Sequence, residues 1–271
     1  MFAERWIYDF MIYVYALSLL FALADSLHPN KKSEWISYLF LAGVWIMQTS
    51  VFVIELGHYY SLSIPLDALF IYSWILIGFT LVMHLVYRMN IFYFIANFIG
   101  FIVSAINLFI PRPGSEELAR LLLKELVLVH VTMAMMAYAA FSLASIGSGL
   151  YLVNNHLLKQ KKWNHLLRQL PSLGRLEWFS IWLVVAGTVF LIVAMVLGVI
   201  YSYQAIGHMF WTDPKVWGSF WVALLYGWIL YRWGRKQMMG RRLAWWNALA
   251  ILAVLVNYVT IRSSESFHHW F

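Results

Sequence analysis

Nine histidines and no cysteine define the chemistry open to this 271-residue chain. Without thiols there are no disulfides, thiolate metal sites or thiol redox steps. The histidines are unequal. His28, His156 and His165 sit in polar stretches, where a solvated role suffices. His130 lies in "ELVLVHVTMAMMAYAAF", where almost every neighbour is apolar. An ionisable side chain in such a run is costly and marks function. Three uses stand open. The ring can be a helix–helix hydrogen-bond partner. It can be an axial ligand to haem iron, since neutral imidazole ligates iron and a flat macrocycle suits a cavity of Met and aromatic residues. It can bind zinc, although a structural zinc wants four N or S ligands, and the chain offers no HxxxH pair. For haem, the best-placed second ligand is His268, a turn or two beyond the last apolar run, with His269 pointing elsewhere. His58 and His84 lie just past the second apolar run and near the end of the third.

The stretch "SYQAIGHMFWTDPKVWGSFW", residues 202–221, lies between two apolar runs and overlaps the second. Five Trp and Phe residues crowd into it. Asp213 and Pro214 are in the order expected of a helix N-cap and first helical position. A loop fixed in that way would present Phe210, Trp211 and Trp217 as a cover over a flat apolar guest. The same tryptophans also suit an interfacial aromatic belt.

These residues are carried by a chain that is 63% hydrophobic and 11% charged, with a mean hydropathy of +0.73. Soluble domains carry about 25% charged residues. Runs of about 20 apolar residues cross a bilayer, and eight are present, roughly 6–27, 35–56, 64–87, 91–110, 125–153, 178–202, 215–233 and 243–262. The expected fold is therefore all-α, a polytopic membrane protein with eight transmembrane helices in one domain over 1–271. The N-terminal run lacks a basic n-region and a small-residue cleavage site, so it reads as a retained first helix. Before the fifth run, Ser115 fits an N-cap and Glu116 and Glu117 the first turn of a helix leading into it.

Charge sets the orientation. The connections 28–34, 88–90, 154–177 and 232–242 hold 13 Lys and Arg residues, against 6 in the connections of the other side and the termini. Basic residues favour the cytoplasmic side of short loops, so both termini are expected outside the cytoplasm. The clusters "KQKKWNHLLR" and "RWGRKQMMGRR" then face the anionic lipid surface, which accounts for the +7 net charge without nucleic acid. His58, His130, His208, His268 and His269 fall on the outer side, and His84 near the inner edge.

From His130 to the C-terminus the sequence resembles the cytochrome c assembly family, polytopic haem-handling proteins of cytochrome c maturation. That family carries an external loop of the form Trp-Gly-x-x-Trp-x-Trp-Asp followed by Pro-Lys. In "IGHMFWTDPK" the residues Gly207, Asp213, Pro214 and Lys215 match in place, while Ile206, Phe210 and Thr212 stand where the pattern has tryptophan. "HVTMAMMAYAAF" is similar to the family's external-histidine helix, which implies that role for His130. "SFHHWF" loosely resembles its second external histidine, at His268, and "GHYYSLSIPL" an earlier segment, at His58 and Pro65. The resemblance covers most of the chain and is strongest from about 120 on. Where members ligating haem within the membrane have a histidine in the helix after the loop, this chain has Tyr231, with His84 as a possible substitute. The altered tryptophan pattern resembles the HemX-type branch, associated with tetrapyrrole synthesis and control of its first enzyme, glutamyl-tRNA reductase.

The resemblance implies a non-covalent, b-type haem held by His130 and His268 in the plasma membrane of a bacterium. The implied partners are the lipid bilayer, haem, and a cytochrome c assembly component or glutamyl-tRNA reductase. A regulatory protein acting through its basic cytoplasmic loops, without haem, is the alternative. A b-type electron-transfer subunit would need paired histidines on both sides. With no nucleotide-binding loop and no carboxylate pair in a span, the chain is not expected to be an enzyme.

Overall fold

The computed structural model describes residues 2–56, 68–87, 89–109, 125–161, 169–205 and 213–259. Eight helices account for these residues: α1 (Phe2–Leu27), α2 (Lys31–Leu56), α3 (Ala68–Tyr87), α4 (Asn90–Phe109), α5 (Glu125–Lys159), α6 (Leu173–Ala205), α7 (Pro214–Gly234) and α8 (Gly240–Val259). All but α7 are long and apolar enough to cross a membrane. At 21 residues α7 is also long enough, but seven of its residues are aromatic, mostly Trp and Tyr with polar N–H and O–H groups, and it carries Lys215 and Arg232. The chain is a multi-pass, all-α membrane protein. Helix contacts divide it into two compact units, Met1–Leu123 and Lys124–Phe271.

In the N-terminal unit, α1 packs on α2 and α4, and α3 on α2 and α4, so the four helices close on themselves. Their shared interior carries a polar stripe. Along α4, Asn90, Tyr93, Asn97, Ser104 and Asn107 recur at helical spacing, and all but Asn90 are fully buried. Helices in lipid gain little from apolar burial alone, and buried polar groups act as glue between them. The Thr80 hydroxyl donates to Asn97 Oδ1 at 3.0 Å, and Ser37 donates to the Tyr93 hydroxyl at 3.4 Å. Ser73 and Ser104 lie 2.7 Å apart through their hydroxyls, and Tyr8 donates to the Ser104 carbonyl at 3.0 Å. One face of α4 therefore bonds to each of the other three helices.

In the C-terminal unit α5 and α6 form the most extensive pair, and α7 and α8 complete the bundle. Ser180, Gly187 and Ala194 recur every seven residues along α6 and face α5. A Cβ on Gly187 would lie 2.7 Å from the Phe141 ring, so only hydrogen fits there. Phe141 in turn stacks on Tyr226 of α7, with centroids 3.7 Å apart and planes 5° from parallel. The register of α5 against α8 is fixed by Asn247 donating to Ser148 at 2.8 Å, Ser145 donating to the Ala248 carbonyl at 3.3 Å, and Asn257 donating to the Tyr138 hydroxyl at 2.7 Å.

Two helix boundaries bear on function. The cap expected at Asp213 is present. Its backbone is extended, its carboxylate accepts from the Lys215 amide at 2.8 Å, Pro214 is the next residue, and the side chain is buried. Helix α5 runs on to Lys159 instead of ending near 153, through Asn154, Asn155 and His156. Asn154 donates to the Pro171 carbonyl at 2.7 Å, which ties that extension to the approach of α6.

Replacing Asn97 with Leu keeps the volume and removes the bond to Thr80, so unfolding in detergent should show a loss of about 1 kcal/mol. An unchanged midpoint would mean the stripe does not hold α4. Asp213→Ala should cost about 1 kcal/mol through the lost cap, and Asp213→Asn should recover most of it. Equal losses in both variants would argue against capping.

Candidate functional site

The C-terminal unit has two chemically distinct ends. Helices α5 and α7 begin, and α6 and α8 finish, at one of them. That end holds His130 in the second turn of α5 and the Asp213 cap of α7. The opposite end holds the α5–α6 link and the α7–α8 turn, with Lys159, Lys161, Arg175, Arg232, Arg235, Lys236, Arg241 and Arg242. Among the described residues, most basic side chains of this unit thus gather at one end, with Lys215 at the other.

His130 is held from α6. Its Nδ1 lies 2.7 Å from the Ala194 carbonyl oxygen. A carbonyl only accepts, so Nδ1 is the protonated nitrogen, and in the neutral ring the lone pair lies on Nε2. Four residues along α6, Gly198 faces the ring, and a Cβ there would lie 2.7 Å from His130 Cε1. The contact is a helix–helix hydrogen bond, the plainest of the uses open to this histidine. It is also the arrangement seen in metal-binding histidines, whose second nitrogen donates to a carbonyl or carboxylate and so fixes the ring. The donor set fits an axial ligand to haem. The chain offers no cluster of three or more metal-binding side chains among the described residues, as zinc would want.

The other expected site residues are distributed as follows. Trp217 is half exposed on the first turn of α7, edge-on to Phe220 with centroids 6.3 Å apart. Tyr231 is 61% exposed, so its ring lines no interior of the C-terminal unit. His84 belongs to the N-terminal unit and is buried there, with Nε2 3.2 Å from Glu34 Oε1 and its ring 4.6 Å from that of Tyr93. Beside it, Asp25 accepts from the Asn30 amide at 2.8 Å and from Asn90 Nδ2 at 2.6 Å. These contacts clasp the α1–α2 turn to the ends of α3 and α4. His58, Phe210, Trp211 and His268 lie outside the described residues, as does Ser115 with its approach to α5. Among the described residues, His130, Asp213 and Trp217 are therefore the expected site residues that the structure brings to one end of one bundle.

Sequence reasoning passed over Ala194 and Gly198. Their signal is the small-x-x-x-small spacing of "AMVLG", which lets helix backbones approach closely. It also passed over Asn257, which donates to Tyr138 and, at 3.1 Å, to Ser219, joining α5, α7 and α8 below the His130 end.

Comparison with known proteins follows this layout. The cytochrome C assembly protein family matches residues 62–269, from before α3 to nearly the end of the chain. Protein HemX of Brevibacillus brevis is 37% identical over 268 residues, covering 98% of each chain. Protein HemX of Bacillus subtilis (strain 168) is 37% identical over 264 residues, covering 96% of this chain and 95% of the relative. No solved structure matches. The similarity to HemX extends over α1 and α2, which the family match omits, and it agrees with the branch that the altered tryptophan loop resembles. With most of its length matched and the His130 helix and Asp213-Pro214-Lys215 inside the match, the chain belongs to the cytochrome c assembly protein family.

Proposed function

We propose that this protein binds haem non-covalently at the outer end of its C-terminal unit, with His130 and His268 as the iron ligands, and that it handles haem without making or breaking its bonds. The observation that carries this reading is the register of α5 and α8. The pairs Ser148–Asn247, Ser145–Ala248 and Tyr138–Asn257 fix antiparallel helices. Helix α8 therefore runs toward the His130 end, and in the sequence His268 follows nine residues after its last residue, Val259. The segment 206–212, which holds Phe210 and Trp211, joins α6 to the Asp213 cap at the same end. Bound haem would supply a redox-active iron, which His130 and His268 would hold. The chain's part is to orient His130 from α6, anchor the loop through Asp213, and cover the porphyrin faces with Phe210, Trp211 and Trp217.

In this reading the protein sits in the plasma membrane of a bacterium. Helix α7 is the eighth span, because its neighbours in the bundle cross the bilayer, and both termini lie outside. Haem held there is passed to a cytochrome c assembly partner or sensed to adjust tetrapyrrole synthesis. The visible spectrum of the purified protein tests the ligands. The wild type should show a Soret band after reconstitution with haem, and His130→Ala and His268→Ala should each lower its intensity and shift it. A band that survives both substitutions unchanged rules these residues out.

A second reading has its own observation. Lys161 and Lys236 adopt left-handed backbone conformations, with φ of 51° and 56°. Lys236 closes α7: its amide donates to the Trp233 carbonyl at 2.8 Å, and the Gln237 amide donates to that of Arg232 at 2.9 Å. Glycine is the favoured residue at such a position, and any side chain costs about 1 kcal/mol there. Both basic segments bear that cost to keep a lysine. This favours use of the positive charge by a partner, and glutamyl-tRNA reductase is the one the branch implies. Lys161→Gly with Lys236→Gly should raise thermal stability while lowering recovery of that enzyme in co-purification. Undiminished recovery would remove these turns as its docking site.

A further inference from the structure

The contact between His130 and α6 does more than join two helices. In a helix the Ala194 carbonyl already accepts from the amide four residues on, which belongs to Gly198. Its second lone pair is left for a side chain. His130 Nδ1 takes it at 2.7 Å. That approach brings the ring against the turn of α6 that runs from Ala194 to Gly198, and both of those residues are small. At Gly198 a Cβ would meet Cε1 at 2.7 Å, Nδ1 at 3.0 Å and Nε2 at 3.6 Å. The hydrogen of glycine is what lets the ring reach the carbonyl. Elsewhere along this seam the side chains crossing from α5 are different: Phe141 fills the space at Gly187, and Gly147 faces Ser180.

We propose that Ala194 and Gly198 form a seat on α6 that holds the His130 ring with its proton on Nδ1, so that Nε2 is the nitrogen offered to haem iron. The inference rests on the haem reading above, but the seat itself is a property of the protein alone. An imidazole free to rotate or to exchange tautomers would present the ligating nitrogen only part of the time. A seated ring presents it always. Ala194 and Gly198 are positioning residues. They act through His130, and loss of such an outer contact typically lowers metal affinity by roughly 10- to 100-fold.

The test has a readout without haem and one with it. The full-length protein, labelled with 15N-histidine and reconstituted in lipid, is observed by solid-state NMR, with His130→Ala identifying the resonances of that ring. The wild type should show His130 neutral, protonated at Nδ1 and bare at Nε2. Gly198→Ala should shift or broaden this signature, and haem titration followed at the Soret band should weaken about tenfold. Ala194→Ser keeps the carbonyl and should preserve both. A wild-type His130 protonated at Nε2, or at both nitrogens, overturns the seat even if Gly198→Ala fails to fold. A Gly198→Ala protein with unchanged NMR signature and unchanged haem affinity also overturns it. If the signature behaves as expected while His130→Ala binds haem as well as the wild type, the seat stands as structure. It is then the haem reading that fails, and with it the offer of Nε2 to iron.

Discussion

In a bilayer a buried polar group must find its partner inside the protein, because there is no water to supply one. Much of what is particular to this chain follows from that constraint. The N-terminal unit answers it with a stripe along α4 that reaches hydroxyls and amides on three neighbours. The C-terminal unit answers it with bonds that each fix the position of one helix on another. Asn247 and Asn257 align α8 on α5, and His130 aligns α5 on α6. The polar contacts of the first unit are spread and redundant. Those described in the second join particular helix pairs, and one of them engages the histidine that the family resemblance singles out.

The two units also divide the charged chemistry. His84, Glu34, Asp25 and Asn90 cluster where helix ends meet, and their contacts hold the α1–α2 turn against α3 and α4. His130 stands among apolar residues, and its Nδ1 is held by a backbone carbonyl of the neighbouring helix. The contrast explains why two intramembrane histidines of the same chain receive different readings. One is enclosed by a local network. The other is oriented by a backbone carbonyl, as a ligand must be before it can meet a metal.

Much of the fold was legible in the sequence, because each helix of about 20 apolar residues announces itself by composition alone. Boundaries were less so. Hydropathy marks where the bilayer ends, not where the helix does, so Asn154 to Lys159 read as loop although they continue α5. Asp213 was legible because capping is local, decided by the carboxylate and the amide two residues on. The seat beneath His130 was not, because it joins positions 64 residues apart, and small residues four apart are common in membrane helices. The turns at Lys161 and Lys236 escaped for the opposite reason. The usual cue for a left-handed residue is glycine, and here the cue is missing.

The Phe141–Tyr226 stack has a consequence for traffic. Both rings are fully buried, and they lie with Ile229 and Leu143 at the centre of the C-terminal unit. Phe141 stands eleven residues beyond His130 on α5, about 16 Å along the axis. Under the proposed function, a tetrapyrrole at His130 would therefore meet a solid floor. It could not be threaded lengthwise through these four helices, and would arrive and depart by the mouth of the bundle or sideways between its helices.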